Sequence, residues 1–166
     1  MTEDQLSRRF AQEIVASPSF VDWVLGATKF AAYKSRVRVL HAEQLSRGPR
    51  KEWWRHWWLK MPDGEERETD IFILLEATDT GKRFALNIEN KPEGASFQEG
   101  QAESYGKMAA CMMAKYTDLN YDDCETILIA PREFASANKE KCKLFGCCIP
   151  YEGIAVFIPE FRPRRR

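Results

Sequence analysis

Two apolar runs, residues 69–77 and 83–89, flank a polar turn at Asp79-Thr80-Gly81-Lys82, and this pair constrains the fold more than any other feature. β-branched and aromatic runs joined by a Gly-containing turn form an antiparallel hairpin. If Thr80-Gly81 make a two-residue loop, paired positions sum to 161. Asp70 then lies opposite Lys91, with Glu89 one diagonal step away. Residues directly opposed, or two apart on one strand, share a face of the sheet, so Asp70, Glu89 and Lys91 converge at one end of the hairpin. A one-residue slip would send Asp70 to the other face.

Other elements gather around this hairpin. Leu6, Phe10, Ile14 and Val15 recur at helical spacing in residues 3–25. Ser17-Pro18-Ser19 breaks the run, and Ser19 can cap a second short helix through Phe20, Trp23 and Val24. Glu13 lies beside the apolar stripe of the first helix, where a glutamate is ordinarily a solvent-facing boundary residue. Residues 27–47 read as helical or mixed. The segment 52–59, EWWRHWWL, reads as a strand with bulky groups on both faces, suited to cover on both sides. Its aromatics with Arg55 also suit base stacking, but the burial area of tryptophan favours packing. Residues 98–115 read as a helix with Ala102, Tyr105, Met108, Ala109 and Met112 inward. ETILIA at 125–130 reads as a buried strand, 133–145 as helical, and 154–158 as a last short strand. The expected architecture is α/β: one domain over residues 1–161 with a central mixed sheet flanked by helices, followed by a loose basic tail at 162–166.

Composition narrows the class. A chain of 166 residues buries a sizeable core, and 30% charged residues is ordinary for a globular protein. The longest apolar runs are short of a membrane span and no secretory leader is legible, so a cytoplasmic protein without membrane association is expected. Cys111, Cys124, Cys142, Cys147 and Cys148 contain no C-x-x-C, and His41 and His56 lie far upstream. Reduced thiols are expected in place of a zinc site. Net charge is zero, yet residues 1–60 hold 11 Lys and Arg against 6 Asp and Glu, whereas residues 61–110 hold 5 against 11. A basic third beside an acidic middle suits a cation site next to a phosphate-holding surface, and equally suits an unevenly charged solvated surface.

Two carboxylates at this spacing form an oxygen-rich site for a hard divalent cation, Mg²⁺ or Mn²⁺. An adjacent lysine orients or deprotonates a water and neutralises charge on a phosphoryl transition state. A surface ion pair on a hairpin is the plain alternative. It leaves unexplained why Glu89 and Lys91 end an apolar strand at the depth where Asp70 opens another.

Asp70, then about 19 residues, then Glu89-x-Lys91 resembles the PD-(D/E)XK nuclease superfamily, with its restriction-endonuclease-like αβββαβ core. Gln101-x-x-x-Tyr105 is similar to the Q-x-x-x-Y signature of its exonuclease-like branches, and spacing of four puts both side chains on one helical face. The run from Glu68 to Tyr105 also looks like a group of bacterial members in which a helix-1 glutamate often joins the metal site; Glu13 is the candidate for it here. The resemblance spans residues 3–130, with Thr69 standing where the family name has proline. It implies a Mg²⁺-dependent hydrolase that cuts DNA with a metal-activated water, as a monomer or homodimer. Asp70 and Glu89 would be metal ligands, with Glu13 as an additional one; Lys91 would act on the water, and Gln101 and Tyr105 would support the site. The alternative is a nucleic-acid-binding member of the same fold that is inactive or needs a partner.

Overall fold

The computed structural model describes residues 1–47 and 51–163. The expected basic tail therefore lies largely outside the described residues.

Helix α1 (Glu3–Ala16) starts at a reciprocal cap: Gln5 N–H donates to Thr2 Oγ1 and Thr2 N–H to Gln5 Oε1. It buries Leu6, Phe10 and Ile14. Ser17, not Ser19, caps α2 (Pro18–Gly26), accepting from Phe20 N–H at 3.2 Å. Pro18 takes the first helical position, where its missing N–H costs nothing, and that moves the cap to the residue before it.

Strand β1 (Val37–Val39) and helix α3 (His41–Leu45) follow. Then come β2 (Trp57–Lys60), β3 (Glu66–Thr69), β4 (Ile71–Ala77) and β5 (Arg83–Asn90). Helix α4 (Gln101–Lys115) leads to β6 (Asp123–Ala130). The chain continues through α5 (Arg132–Ala137), α6 (Lys139–Cys142), β7 (Cys147–Pro150) and α7 (Tyr151–Ile154). The result is an α/β fold around a mixed sheet of order β1-β4-β5-β6-β7, with β2 and β3 in a separate two-stranded sheet. The first two pairings of the main sheet are antiparallel and the last two parallel.

All seven residues of β4 are buried, because both faces of the sheet are covered. Ile71, Ile73 and Leu75 pack with Phe10, Phe20 and Leu25 of α1 and α2. Phe72 and Leu74 pack on the other side with Tyr105, Met108 and Met112 of α4 and with Trp57 of β2.

Three expectations are corrected. The tryptophan segment is not one strand covered on both sides. A turn over residues 51–55 and a positive φ at His56 precede a four-residue strand that buries Trp57 and leaves Trp58 exposed. It pairs with β3, so the strand bordering β4 in the main sheet is β1. Residues 154–158 are not a strand: the last strand is β7, and α7 and tight turns follow it. The hairpin is looser than expected, with residues 78–81 as its loop, closed by Ala77 N–H to the Lys82 carbonyl at 2.8 Å. Partners sum to 159 (Ile71 with Ile88, Glu76 with Arg83). The shift is two residues, an even number, so every side chain keeps its face.

β1 covers only the last three residues of β4, Leu75–Ala77. The remaining backbone groups are met otherwise. Leu40 N–H donates to the Leu74 carbonyl (2.9 Å), and Phe72 N–H to that of Trp54 (2.9 Å). Between them Gln44, fully buried, imitates a strand: its Oε1 accepts from Leu74 N–H at 2.7 Å and its Nε2 donates to the Phe72 carbonyl at 2.9 Å. Leucine at 44 strands these buried groups without water. Gln44→Leu is expected to cost about 1–3 kcal/mol, read as a lower urea midpoint at unchanged slope.

Candidate active site

The chain turns from one sheet into the other at Asp70. Thr69 is the last residue of β3, facing Trp57; Ile71 is the first of β4, facing Ile88. Asp70 itself belongs to neither ladder. The bend is held by Thr69, fully buried, whose hydroxyl contacts Tyr105 Oη at 2.9 Å and donates toward the carbonyls of Ile71 and Ile88, both at 3.3 Å. Freed from the sheet, Asp70 turns one carboxylate oxygen, Oδ2, onto the backbone N–H of Asn90 at 2.7 Å. That bond seats it beside Glu89, its neighbour in the observed register, with Lys91 one step further on.

Glu89 is 1% exposed at the end of β5. Its Oε1 accepts from Lys91 Nζ at 2.7 Å and from Gln101 Nε2 at 2.6 Å, while Oε2 is buried and has no hydrogen-bond partner. Gln101 is the first residue of α4, and its Oε1 accepts from Gln98 N–H at 3.1 Å, which fixes the amide's orientation. The positive end of a 15-residue helix thus faces the carboxylate. Lys91 is secured through its backbone, Lys91 N–H to the Ile129 carbonyl (2.9 Å), and its ammonium lies 5.6 Å from the Phe97 ring centroid.

Asn90, between the two charged residues, points to the opposite face. Its side chain is fully buried and donates to the Glu3 carbonyl (3.2 Å) and Ser7 Oγ (2.8 Å), and accepts from the Tyr151 hydroxyl. One residue therefore holds Asp70 by its backbone and ties the first turns of α1, and α7, to the strand by its side chain.

Burial raises the pKa of Asp70 well above the usual carboxylate range, and the charges of Glu89 and Glu3 push it further. Burial likewise raises Glu89, against the lowering pull of Lys91. Burial raises Glu3 too, with Lys91 again opposing. Tyr105 is raised well above its ordinary value, first by burial and then by Glu89 and Asp70, and stays a neutral hydroxyl. Three carboxyl groups thus share the field of one lysine, an arrangement short of positive charge.

The structure brings together Asp70, Glu89, Lys91, Gln101 and Tyr105. It does not bring in Glu13. Helix α1 reaches the site through its first turn, and Glu13 stands ten residues beyond Glu3, about 15 Å along the axis. Glu3 is the helix-1 carboxylate that feels Asp70 and Glu89. Sequence reasoning chose Glu13 for its place beside the apolar stripe; the helix's docking on Asn90 is a tertiary contact that no spacing announces. Glu68 lines a cleft of about 440 Å³ together with Asp70, Glu3, Ser7, Trp54 and Arg55.

Among the described residues, no group of three or more His, Cys, Asp or Glu side chains is placed to hold a metal ion. The donors on hand are Asp70 and Glu89. That number fits Mg²⁺, which takes one or two carboxylates and completes its shell with water and substrate oxygens. The partnerless, buried Glu89 Oε2 is the atom such an ion would satisfy. The five cysteines are free, and burial raises the thiols of Cys147 and Cys148 to about 12 and about 11. No helix among the described residues is long and apolar enough to cross a membrane.

Set against protein-family models, curated proteins and solved structures, the chain matches none.

A carboxyl group whose pKa is raised on folding stabilises the fold below its unfolded value and loses that contribution as pH rises through the folded one. Asp70→Asn, which keeps an acceptor for Asn90 N–H, is therefore expected to melt higher than the parent at pH 7 in EDTA. The difference should close as pH falls into the carboxylate range. A gap unchanged from pH 7 to pH 4 in calorimetry would contradict the charge repulsion.

Proposed function

We propose that the chain is a divalent-cation-dependent nuclease that hydrolyses DNA phosphodiester bonds. The observation that carries this reading is the state of Glu89: buried at a strand end, one oxygen clamped by Lys91 and Gln101, the other without a partner beside Asp70. A buried carboxylate oxygen left unmet is uncommon in an ion pair that serves only the fold. The element order is compatible with the reading: α1, β1, β4, β5, α4 and β6 follow the αβββαβ sequence of the PD-(D/E)XK core once α2, α3 and the β2–β3 pair are taken as additions.

Asp70 and Glu89 would hold Mg²⁺ or Mn²⁺. When bound, the cation supplies Lewis acidity toward a phosphoryl oxygen and acidifies a bound water. The residues of the chain do the rest. Gln101 keeps Glu89 turned into the site, and Tyr105 keeps the Thr69 bend that presents Asp70. Lys91 Nζ carries a proton and a positive charge to the oxygens where negative charge builds. In the reaction, the water oxygen bonds to phosphorus, the bond to one ester oxygen breaks, and that oxygen leaves with a proton.

Asp70→Ala, Glu89→Ala and Lys91→Ala are each expected to reduce Mg²⁺- or Mn²⁺-dependent cleavage by at least about 100-fold, with far-ultraviolet circular dichroism unchanged. Linear, circular and single-stranded DNA, with EDTA controls, provide the assay. Parental activity in the Lys91 variant would defeat the assignment. Metal binding by calorimetry with no cleavage of any substrate would point to a member that needs a partner, and DNA binding without metal affinity to a non-catalytic binder.

A further inference from the structure

A second cleft, of about 800 Å³, opens beyond Arg55, the residue it shares with the cleft at Asp70. Arg8, Arg47, Lys51 and Arg55 line it, against the single carboxylate Glu52, and Trp58 stands at its side. The cations come from α1, from the end of α3 and from the turn before β2; the fold gathers here most of the basic excess of the N-terminal third.

Trp58 is the unusual member. It is 46% exposed although its neighbours Trp54 and Trp57 are buried. The hairpin dictates this: Trp57 and Leu59 face the core, so Trp58 and Lys60 face out. The ring is not loose. Lys115 Nζ lies 4.4 Å from its centroid, and both Lys115 Nζ and Tyr116 Oη donate to the Trp58 carbonyl, at 2.8 and 2.7 Å. The carbonyl bonds hold the backbone at Trp58 and Lys115 lies against the ring, whose remaining exposed surface presents a stacking platform.

Carboxylates position the arginines: Asp118 pairs with Arg47, and Asp4 with Arg8. Glu52 bridges Arg8 and Arg55, and Asp4 also meets Arg55. Both of Arg55's carboxylate partners engage its Nη1, and a guanidinium carries five N–H donors. Such pairs hold the guanidinium groups in place and leave donors for phosphate oxygens.

We propose that this cleft is a track for single-stranded DNA leading to the Asp70–Glu89 site, with Trp58 stacking on a base and Arg8, Lys51 and Arg55 meeting phosphates. The proposal rests on the nuclease reading for its direction, but the binding stands on the cleft alone. Stacking requires an exposed base face, which a duplex hides.

The experiment is fluorescence anisotropy in EDTA with a labelled oligothymidylate, a blunt duplex of equal length and an oligouridylate. Oligothymidylate is expected to bind at least about tenfold tighter than the duplex. Trp58→Ala should lose about tenfold, since a stacked base contributes roughly 1–3 kcal/mol, while Trp58→Phe keeps most of the affinity. Lys51→Gln should lower the slope of log affinity against log salt by about one. Parental affinity in Trp58→Ala, tighter duplex binding or tighter RNA binding would overturn the proposal. Single-strand binding by this pattern without metal-dependent cleavage would refute the nuclease reading and leave the track. Cleavage with unaltered oligothymidylate affinity in Trp58→Ala would do the reverse.

Discussion

Two carboxylates at the end of an apolar sheet cost stability unless something positive meets them, and the surroundings of Asp70 and Glu89 follow from that cost. One lysine serves both, and it is engaged with Glu89 at 2.7 Å. The remaining compensation is dipolar: Asn90 N–H on Asp70, the Gln101 amide on Glu89, and the N-terminus of α4 behind it. None of these removes the penalty, since both carboxyl groups remain raised above their ordinary range. Carboxyl groups so strongly perturbed by burial cluster at functional sites, although structural ion-pair networks show them as well.

The rest of the architecture keeps the two carboxylates together. Asp70 can leave the ladder only because β3 belongs to one sheet and β4 to the other, and the Thr69–Tyr105 contact fixes the bend from α4. Asn90 joins α1 and α7 to the same strand end from the opposite face. The exposed edge of β4 near the bend is closed by Gln44 and the Trp54 carbonyl, a polar side chain and an irregular turn in place of a neighbouring strand.

Much of this was legible in the sequence, for reasons that differ by residue. Asp70, Glu89 and Lys91 could be placed on one face because a strand has period two, and the argument survived a wrong loop length because the error was even. Gln101 and Tyr105 are singled out by the Q-x-x-x-Y resemblance, and helical spacing puts them on one face. Glu3 and Asn90 were not legible. Glu3 is a first-turn residue of α1, and its place beside the site depends on where that helix docks. Asn90 carries out its tasks through a backbone N–H and a side chain on the far face, which period-two reasoning assigns to packing. The tryptophan segment was read as covered on both faces because composition reports how much apolar surface there is but not where the chain turns. His56, with a φ of 65°, ends the segment's regularity before Trp57. Residues 154–158 looked like a strand from their apolar letters, yet the chain had already supplied its edge strand at β7.

Zero net charge conceals a separation that matters to a polyanion. Arg8, Arg47, Lys51 and Arg55 line one cleft, whereas Glu3, Glu68 and Asp70 line the cleft that adjoins it at Arg55. Under the proposed nuclease reading, a divalent cation held by Asp70 and Glu89 would neutralise the carboxylates at the end of the proposed track and so favour the approach of a phosphate there.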